Sequence, residues 1–417
     1  MRPRGLTAVF STLAAAGLIL GSACGARSTD IVWWTPSWGQ ARATELARQF
    51  EAANPGLRVK IEVTVADGLP TRIQTALRSG APPDLIEAQH GWVVPYAQAG
   101  LLAPLDDVVT PGDRPDYLPA ALDYDAWNGH LWGAPFRIET HAVLYNRRLF
   151  RDAGLDPDRP PQTWPEVLDA ALRLTRKTDA GRQQYGLAIT GGGEVGNTLF
   201  RVLPLMWMNG GSILSDDLAR VTVNERPAVE AVTFYTELFT KHHVSPPSTL
   251  QDDGLADRRL FIGGTVAMYQ SGQFDIAVIR QENPTLDLGV MKLPHPPGKD
   301  TAAALGGWSF IVPKDAPHAG EAKRLARFVS EPAHMGFFTD TFPARTSAMS
   351  QPRFSDPILT PFREMLPHGR RVPPARNWLS IVQVFFDHLQ RVLLSELAPQ
   401  AAMDQAAREM QPLLDRP

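Results

Sequence analysis

Apolar and polar positions alternate in two rhythms along this chain, and together they predict an α/β order. Residues 31–34 (Ile-Val-Trp-Trp) form a short unbroken apolar run, the pattern of a strand buried on both faces. Ala43, Ala47 and Phe50 then recur at helical spacing until Asn54-Pro55-Gly56 stops the helix. Leu57, Val59, Ile61, Val63 and Val65 alternate with Arg58, Lys60, Glu62 and Thr64, which predicts a strand with one buried face. Leu69, Ile73, Ala76 and Leu77 give a helix closed by Gly80. A strand at 84–88 follows, and then a helix at 92–99 with Gly100 as its C-cap. This β–α–β–α–β–α order predicts a mostly parallel sheet covered by helices.

The rhythm resumes with strands at 130–135, 140–145, 185–190, 265–269, 286–293 and 308–312, and helices at 198–209 and 227–241. Thr163-Trp-Pro-Glu166 reads as a capping box: threonine caps, proline sits in the first turn and glutamate reaches back. From 319 onward the pattern is helical, with one irregular break at 342–354. The 417 residues are too many for one compact core, and no repeat or low-complexity linker divides them. Lobes joined by several passages of the chain fit this better than separate domains in a row.

Composition narrows the class. With 44% hydrophobic and 20% charged residues the chain is globular, and a net charge of −3 gives no basic surplus for nucleic acid. A single cysteine excludes an intramolecular disulfide, an iron–sulfur cluster and a multi-cysteine zinc site. It stands at Cys24, closing a charge-free run (5–23) that follows Arg2 and Arg4, which is the layout of a secretory signal. Leu20-Gly-Ser-Ala-Cys24 resembles the lipobox of bacterial lipoproteins. That resemblance implies a signal peptide at 1–23, acylation of Cys24 and a mature chain anchored to the outer face of the cytoplasmic membrane.

Enzymatic motifs are scarce. The sequence holds no G-x-S-x-G elbow, no H-E-x-x-H and no Walker A loop, and no metal or cofactor is expected. Gly191, Gly193 and Gly196 fit G-x-G-x-x-G after a strand, with Asp216 at the distance of a ribose-binding acid. Pro204 inside the next helix argues instead for a plain glycine loop. Glu139 with Glu194 or Asp275 keeps a cell-wall glycoside hydrolase open as an alternative. Trp34, Trp38, Trp92, Trp127, Trp132, Trp207, Phe274, Trp308 and Trp378 often fall at strand ends or loops. Ligands of open α/β sheets bind there, and a flat ring suits the C–H face of a sugar whose hydroxyl rim takes polar partners.

Ordered landmarks then carry a family resemblance. Leu144-Tyr-Asn-Arg-Arg-Leu-Phe150, Ala153-Gly-Leu155 and Pro161-Gln-Thr-Trp-Pro-Glu166 resemble a segment of the extracellular solute-binding proteins of ATP-driven importers, in the carbohydrate-binding group that includes maltose-binding protein. Pro83-Asp84-Leu85, Gly133-Ala-Pro135, the stretch from Gly264 to Phe274, and Gly306-Gly-Trp-Ser-Phe-Ile-Val-Pro313 follow in the same order. The resemblance implies a type II periplasmic-binding-protein fold, with two α/β lobes, each a mostly parallel sheet flanked by helices, and a hinge between them. Lobe 1 is expected at 24–137 plus 291–345, and lobe 2 at 138–290 plus 346–417. It also implies a monomer that binds a sugar or related polyol and hands it to a membrane permease without catalysis. Carried over by position, Phe274, Trp378 and Phe200 are stacking aromatics. Residue chemistry adds Trp38, Gln89, His90, Arg137, Glu139, Asn197, Trp308 and Arg376 as ligand-binding candidates. Arg137 and Arg376 would suit a glycerophosphodiester, whereas Glu139 would suit an amino sugar, so both remain alternatives within the binding class.

Overall fold

The computed structural model describes residues 29–65, 68–375 and 377–416. Cys24, the signal segment and Arg376 lie outside the described residues. The apolar run at 31–34 is the middle of β1 (Thr29–Pro36), which pairs in parallel with β2 (Leu57–Thr64) and β3 (Leu85–Gln89). After β4 (Ala134–Glu139) the chain enters a second sheet of β5 (His141–Asn146), β6 (Arg176–Lys177), β7 (Gln183–Ala188), β8 (Val266–Gly272) and β9 (Leu288–Met291). It returns as β10 (Gly306–Ile311) and β11 (Phe342–Pro343). The first sheet has the order β11-β4-β10-β3-β1-β2 and the second β9-β5-β8-β7-β6.

Both sheets are mixed rather than mostly parallel. β10 runs antiparallel to β3 and β4, and β5 runs antiparallel to β8 and β9. A strand arriving from the other sheet has no helical crossover within its own, so the rule that makes βαβ neighbours parallel does not bind it. Trp33, Phe136, Phe310 and Phe338 pack ring against ring at the centre of the first half, with centroids 4.5–5.7 Å apart.

The helices that matter for the site begin with α1 (Leu69–Arg78), α2 (His90–Gln98) and α3 (Pro119–Asp125) in the first half. The second half supplies α4 (Val195–Asn209), α5 (Arg226–Thr240), α6 (Phe274–Glu282), α7 (Trp378–Leu393) and α8 (Pro399–Leu414). The capping box forms as expected: Glu166 accepts from the Thr163 backbone N–H at 3.0 Å, opening the helix Trp164–Leu174. The irregular break is longer than expected. Between β11 and α7 the chain makes short 3-10 turns and one six-residue helix, Thr360–Met365. Pro343, Pro352, Pro357, Pro361, Pro367, Pro373 and Pro374 withhold the N–H groups that a continuous helix needs. Among the described residues no helix is long and apolar enough to cross a membrane.

The two halves meet in at least two places. Near the β4–β5 passage the Phe200 ring of α4 reaches the first sheet. A Cβ added to Gly306 would lie 3.0 Å from Phe200 Cε1 and 2.9 Å from Glu139 Cγ. Elsewhere the N–H of Gly68, the residue before α1, donates to Oε1 of Glu194, the residue before α4, at 3.1 Å.

Candidate functional site

Strand register brings most of the sequence-named residues together. On β10, Trp308 stands between Gln89 of β3 and Arg137 of β4. Its buried ring packs edge-on against Trp38 at 5.1 Å and Trp92 at 5.8 Å. Trp38 sits in the turn after β1 and remains 41% exposed, an aromatic face available to a ligand. Gln89, half-buried, is the residue before α2.

Arg137 is buried beside two carboxylates. Its guanidinium donates to Asp340 at 2.7 Å and to Glu139. Burial works against its charge, but the fields of Asp340 and Glu139 outweigh that and raise its pKa. Close by, Glu87 on β3 accepts from the Trp33 indole at 3.0 Å. Burial pushes its pKa up to about 8, opposed by hydrogen bonds from Thr35 and Trp33 and by the charge of Arg137.

His90 belongs to a closed network. Its Nε2–H donates to the Arg137 carbonyl at 3.1 Å, and Nδ1 lies 3.1 Å from Asp125 and 2.9 Å from the Ser309 hydroxyl. Ser309 also donates to Asp125. A serine, a histidine and an aspartate are thus in contact, but not in the order of a hydrolase triad. The hydroxyl and the carboxylate share Nδ1, Nε2 is spent on a carbonyl, and all three residues are buried. Gly307 makes this possible. At φ +145° a Cβ there would fall 2.2 Å from the Arg137 oxygen and 2.6 Å from His90 Nε2.

In the second half, Phe200 and Phe274 flank His141, with ring centroids 5.6 Å and 6.2 Å from its imidazole. Asn197 stands in the first turn of α4, half-buried, its carbonyl accepting from Arg201 at 2.5 Å. Trp378 opens α7 but is only 3% exposed and is part of the hydrophobic core, and no ring contact joins it to Phe200 or Phe274 among the described residues. Two surface hollows, about 500 and 240 Å³, lie apart from all these residues. The first is between α5 and the α7–α8 turn, the second beside Trp207 and Lys299.

The other motifs resolve into structure. The N–H groups of Gly191 and Gly192 bond to the carbonyls of Thr249 (3.1 Å) and Asp252 (3.0 Å), so the glycine loop is stitched to its neighbour rather than open as a phosphate cradle. Asp275 accepts from Arg258 (2.7 Å), Tyr269 (2.8 Å) and Ser271 (2.7 Å), and Glu139 is held by Arg137. Among the described residues no group of three or more His, Cys, Asp and Glu side chains is arranged to hold a metal.

The site also contains residues that the sequence reading missed: Asp340, Asp125, Ser309, His141 and Gln273. His141 left a signal, as the one strongly polar residue before the apolar stretch 142–145. Asp340 left none, because its partner is 203 positions away.

A two-sheet α/β chain with aromatic and charged side chains gathered where its halves meet is the build of a solute-binding protein. Residues 36–335 match the family described as bacterial extracellular solute-binding protein, and the chain belongs to it. A Brucella abortus (strain 2308) chain described as a binding protein is 25% identical over 382 residues, covering 89% of each. The sn-glycerol-3-phosphate-binding periplasmic protein of Escherichia coli (strain K12) is 26% identical over 330 residues, 75% of this chain and 71% of that one. An ABC transporter solute-binding protein from Thermotoga lettingae, solved bound with α-D-tagatose, matches at a TM-score of 0.84 and 27% identity, over 93% of this chain and 100% of the other.

Proposed function

We propose that this chain is the receptor of an ATP-driven importer, taking an uncharged sugar or polyol between its two halves and presenting it to a membrane permease without chemical change. Cys24 would carry the lipid anchor, and the receptor would act as a monomer. The expected halves, 24–137 with 291–345 and 138–290 with 346–417, we adjust at two limits: Pro294 and His295 bond to Trp164 and Gln162, and Lys299 bonds to Asn209, so we keep 291–299 with the second half. Because Ser347 and Arg353 still bond to first-half residues (Asp116; Gly336 and Thr339) while Asp356 pairs with Arg280, we extend the first half from 345 to Phe354 and resume the second at Asp356. Closure is a hinge equilibrium that a ligand biases by touching both halves.

The observation that carries the choice of ligand is the environment of Arg137. Two carboxylates already compensate its charge, so it offers no surplus for a phosphate, while Trp38, Phe200 and Phe274 offer faces for a sugar ring. A glycerophosphodiester is the second reading, favoured by the likeness to the sn-glycerol-3-phosphate-binding protein. Glycoside hydrolysis is disfavoured because Glu139 and Asp275 are committed to arginines. Thermal-shift measurement on the full chain with D-tagatose, maltotriose and sn-glycerol 3-phosphate tests this, since a ligand that binds only the folded state raises the melting temperature. A shift with either sugar and none with the phosphoester is expected. A shift with the phosphoester alone selects the second reading, and steady release of product from a glycoside overturns the non-enzymatic one.

A further inference from the structure

Two side chains at the junction of the halves are buried without their full set of partners. His141 opens β5 and is 6% exposed, and its Nδ1 has no hydrogen-bond partner. Gln273, between β8 and α6, is 4% exposed, and its Oε1 has none either. They are neighbours in space because Gly272 pairs with His141 across the β8–β5 ladder, and Gln273 is the next residue. Gln273 Nε2 reaches back to the first sheet, donating to the Ile138 carbonyl at 3.4 Å. A carbonyl only accepts, so this contact fixes which end of the carboxamide faces Ile138 and leaves Oε1 as a bare acceptor. A buried polar atom without a partner costs stability, and sites that bind polar guests keep such atoms for the guest.

Resting on the receptor reading above, we propose that His141 and Gln273 are ligand-binding residues. They take adjacent hydroxyls of an uncharged sugar whose C–H face lies against Phe200 and Phe274. An acceptor such as Gln273 Oε1 needs an O–H donor; a sugar ring offers several side by side on an uncharged frame, whereas sn-glycerol 3-phosphate offers two and brings an ionised phosphate that the neutral pair does not balance. A hydroxyl both donates and accepts, so it satisfies the imidazole in either tautomer. Burial also holds the His141 pKa down near 3, which keeps the ring neutral and suits the same guest. Both residues lie beside the β4–β5 passage, so a sugar held there touches the segment about which the halves turn.

The test uses the full chain purified in detergent, the substitutions His141→Phe and Gln273→Met, and calorimetric titration with D-tagatose, maltotriose and sn-glycerol 3-phosphate. The wild type is expected to bind at least one of the two sugars. Each substitution should weaken that binding tenfold or more; the ligand-free melting temperature stays level or rises for His141→Phe, where a buried orphan is gone, and changes little for Gln273→Met, where the lost orphan is offset by the lost long bond to Ile138. Unchanged affinity overturns the assignment of these residues and leaves the receptor reading standing. A lowered melting temperature with unchanged affinity marks them as structural and overturns it too. Binding of sn-glycerol 3-phosphate alone overturns the uncharged-guest claim, and binding of none of the three overturns both readings. If one variant fails to fold, the other decides by the same criteria.

Discussion

Glu87 gives the first half a pH dependence whose sign can be worked out. Its pKa rises from 4.5 to about 8 on folding, so between those values the folded state holds a proton that the unfolded state has released. Stability therefore falls as pH rises through that window, by at most about 1.4 kcal/mol per unit. His141 acts the other way. Its pKa drops from 6.5 to about 3, so its contribution is fully present above 6.5 and is lost as the pH falls toward 3. Above pH 6.5 the Glu87 slope stands clear of it. Urea unfolding should show the wild type losing stability between pH 6.5 and 8 while Glu87→Gln stays flat; equal slopes would refute the buried-acid account. The sequence showed Glu87 only as a polar residue in an apolar strand. Its proton affinity comes from burial, which Thr35, Trp33 and Arg137 only partly offset, and no local pattern encodes that enclosure.

At the scale of elements, much of the fold was legible. β1, β2, β3, the capped helix and the helices of the second half fall within a few residues of their predicted limits, because each carries its own periodicity and stop signal. Strand direction was not legible, since β5 and β10 take their orientation from the sheet they join. Of the site, the aromatic and arginine candidates were readable as chemical types, whereas their company was not. Trp378, expected as a platform, enters the core, because an aromatic at the head of an amphipathic helix reads the same whether it faces ligand or protein. Gly307 gives a prediction at this scale. Gly307→Ala meets both a strained φ and the Arg137 carbonyl, and should destabilise the fold by more than about 3 kcal/mol. Gly298→Ala, with a φ of +74° but open space around it, should lose only about 1–2 kcal/mol. Similar unfolding midpoints for the two would show that the β10–β4 approach is looser than described.

For the whole molecule, the decisive feature is where the chain crosses. β11, β4 and β10 are neighbours at one edge of the first sheet, and β9 and β5 occupy one edge of the second. Passages that lie side by side give the halves a common axis of rotation, and β2 and β6 are the edges farthest from it in strand order. Replacing Cys24 with serine leaves no thiol, so dyes placed by Arg58→Cys on β2 and Lys177→Cys on β6, both exposed, report the angle between the halves. Energy transfer between them should change when a sugar that raises the melting temperature is added. No change at saturation would refute closure.

Among the described residues, the passages at β4–β5, β9–β10 and Phe354–Asp356 lie along one side, and away from them the segment 371–374 meets the first half through hydrogen bonds, from the Val372 amide to the Tyr124 hydroxyl and from Arg371 to the Asp123 carbonyl. A guest can be gripped at its inner end and still trail outward like a key left in a lock. In a receptor of the proposed kind, the upper size of cargo would be set by non-covalent fastenings between the halves, such as the Gly68 amide on Glu194 and the Val372 amide on Tyr124. Loosening them would admit longer cargo without disturbing the grip.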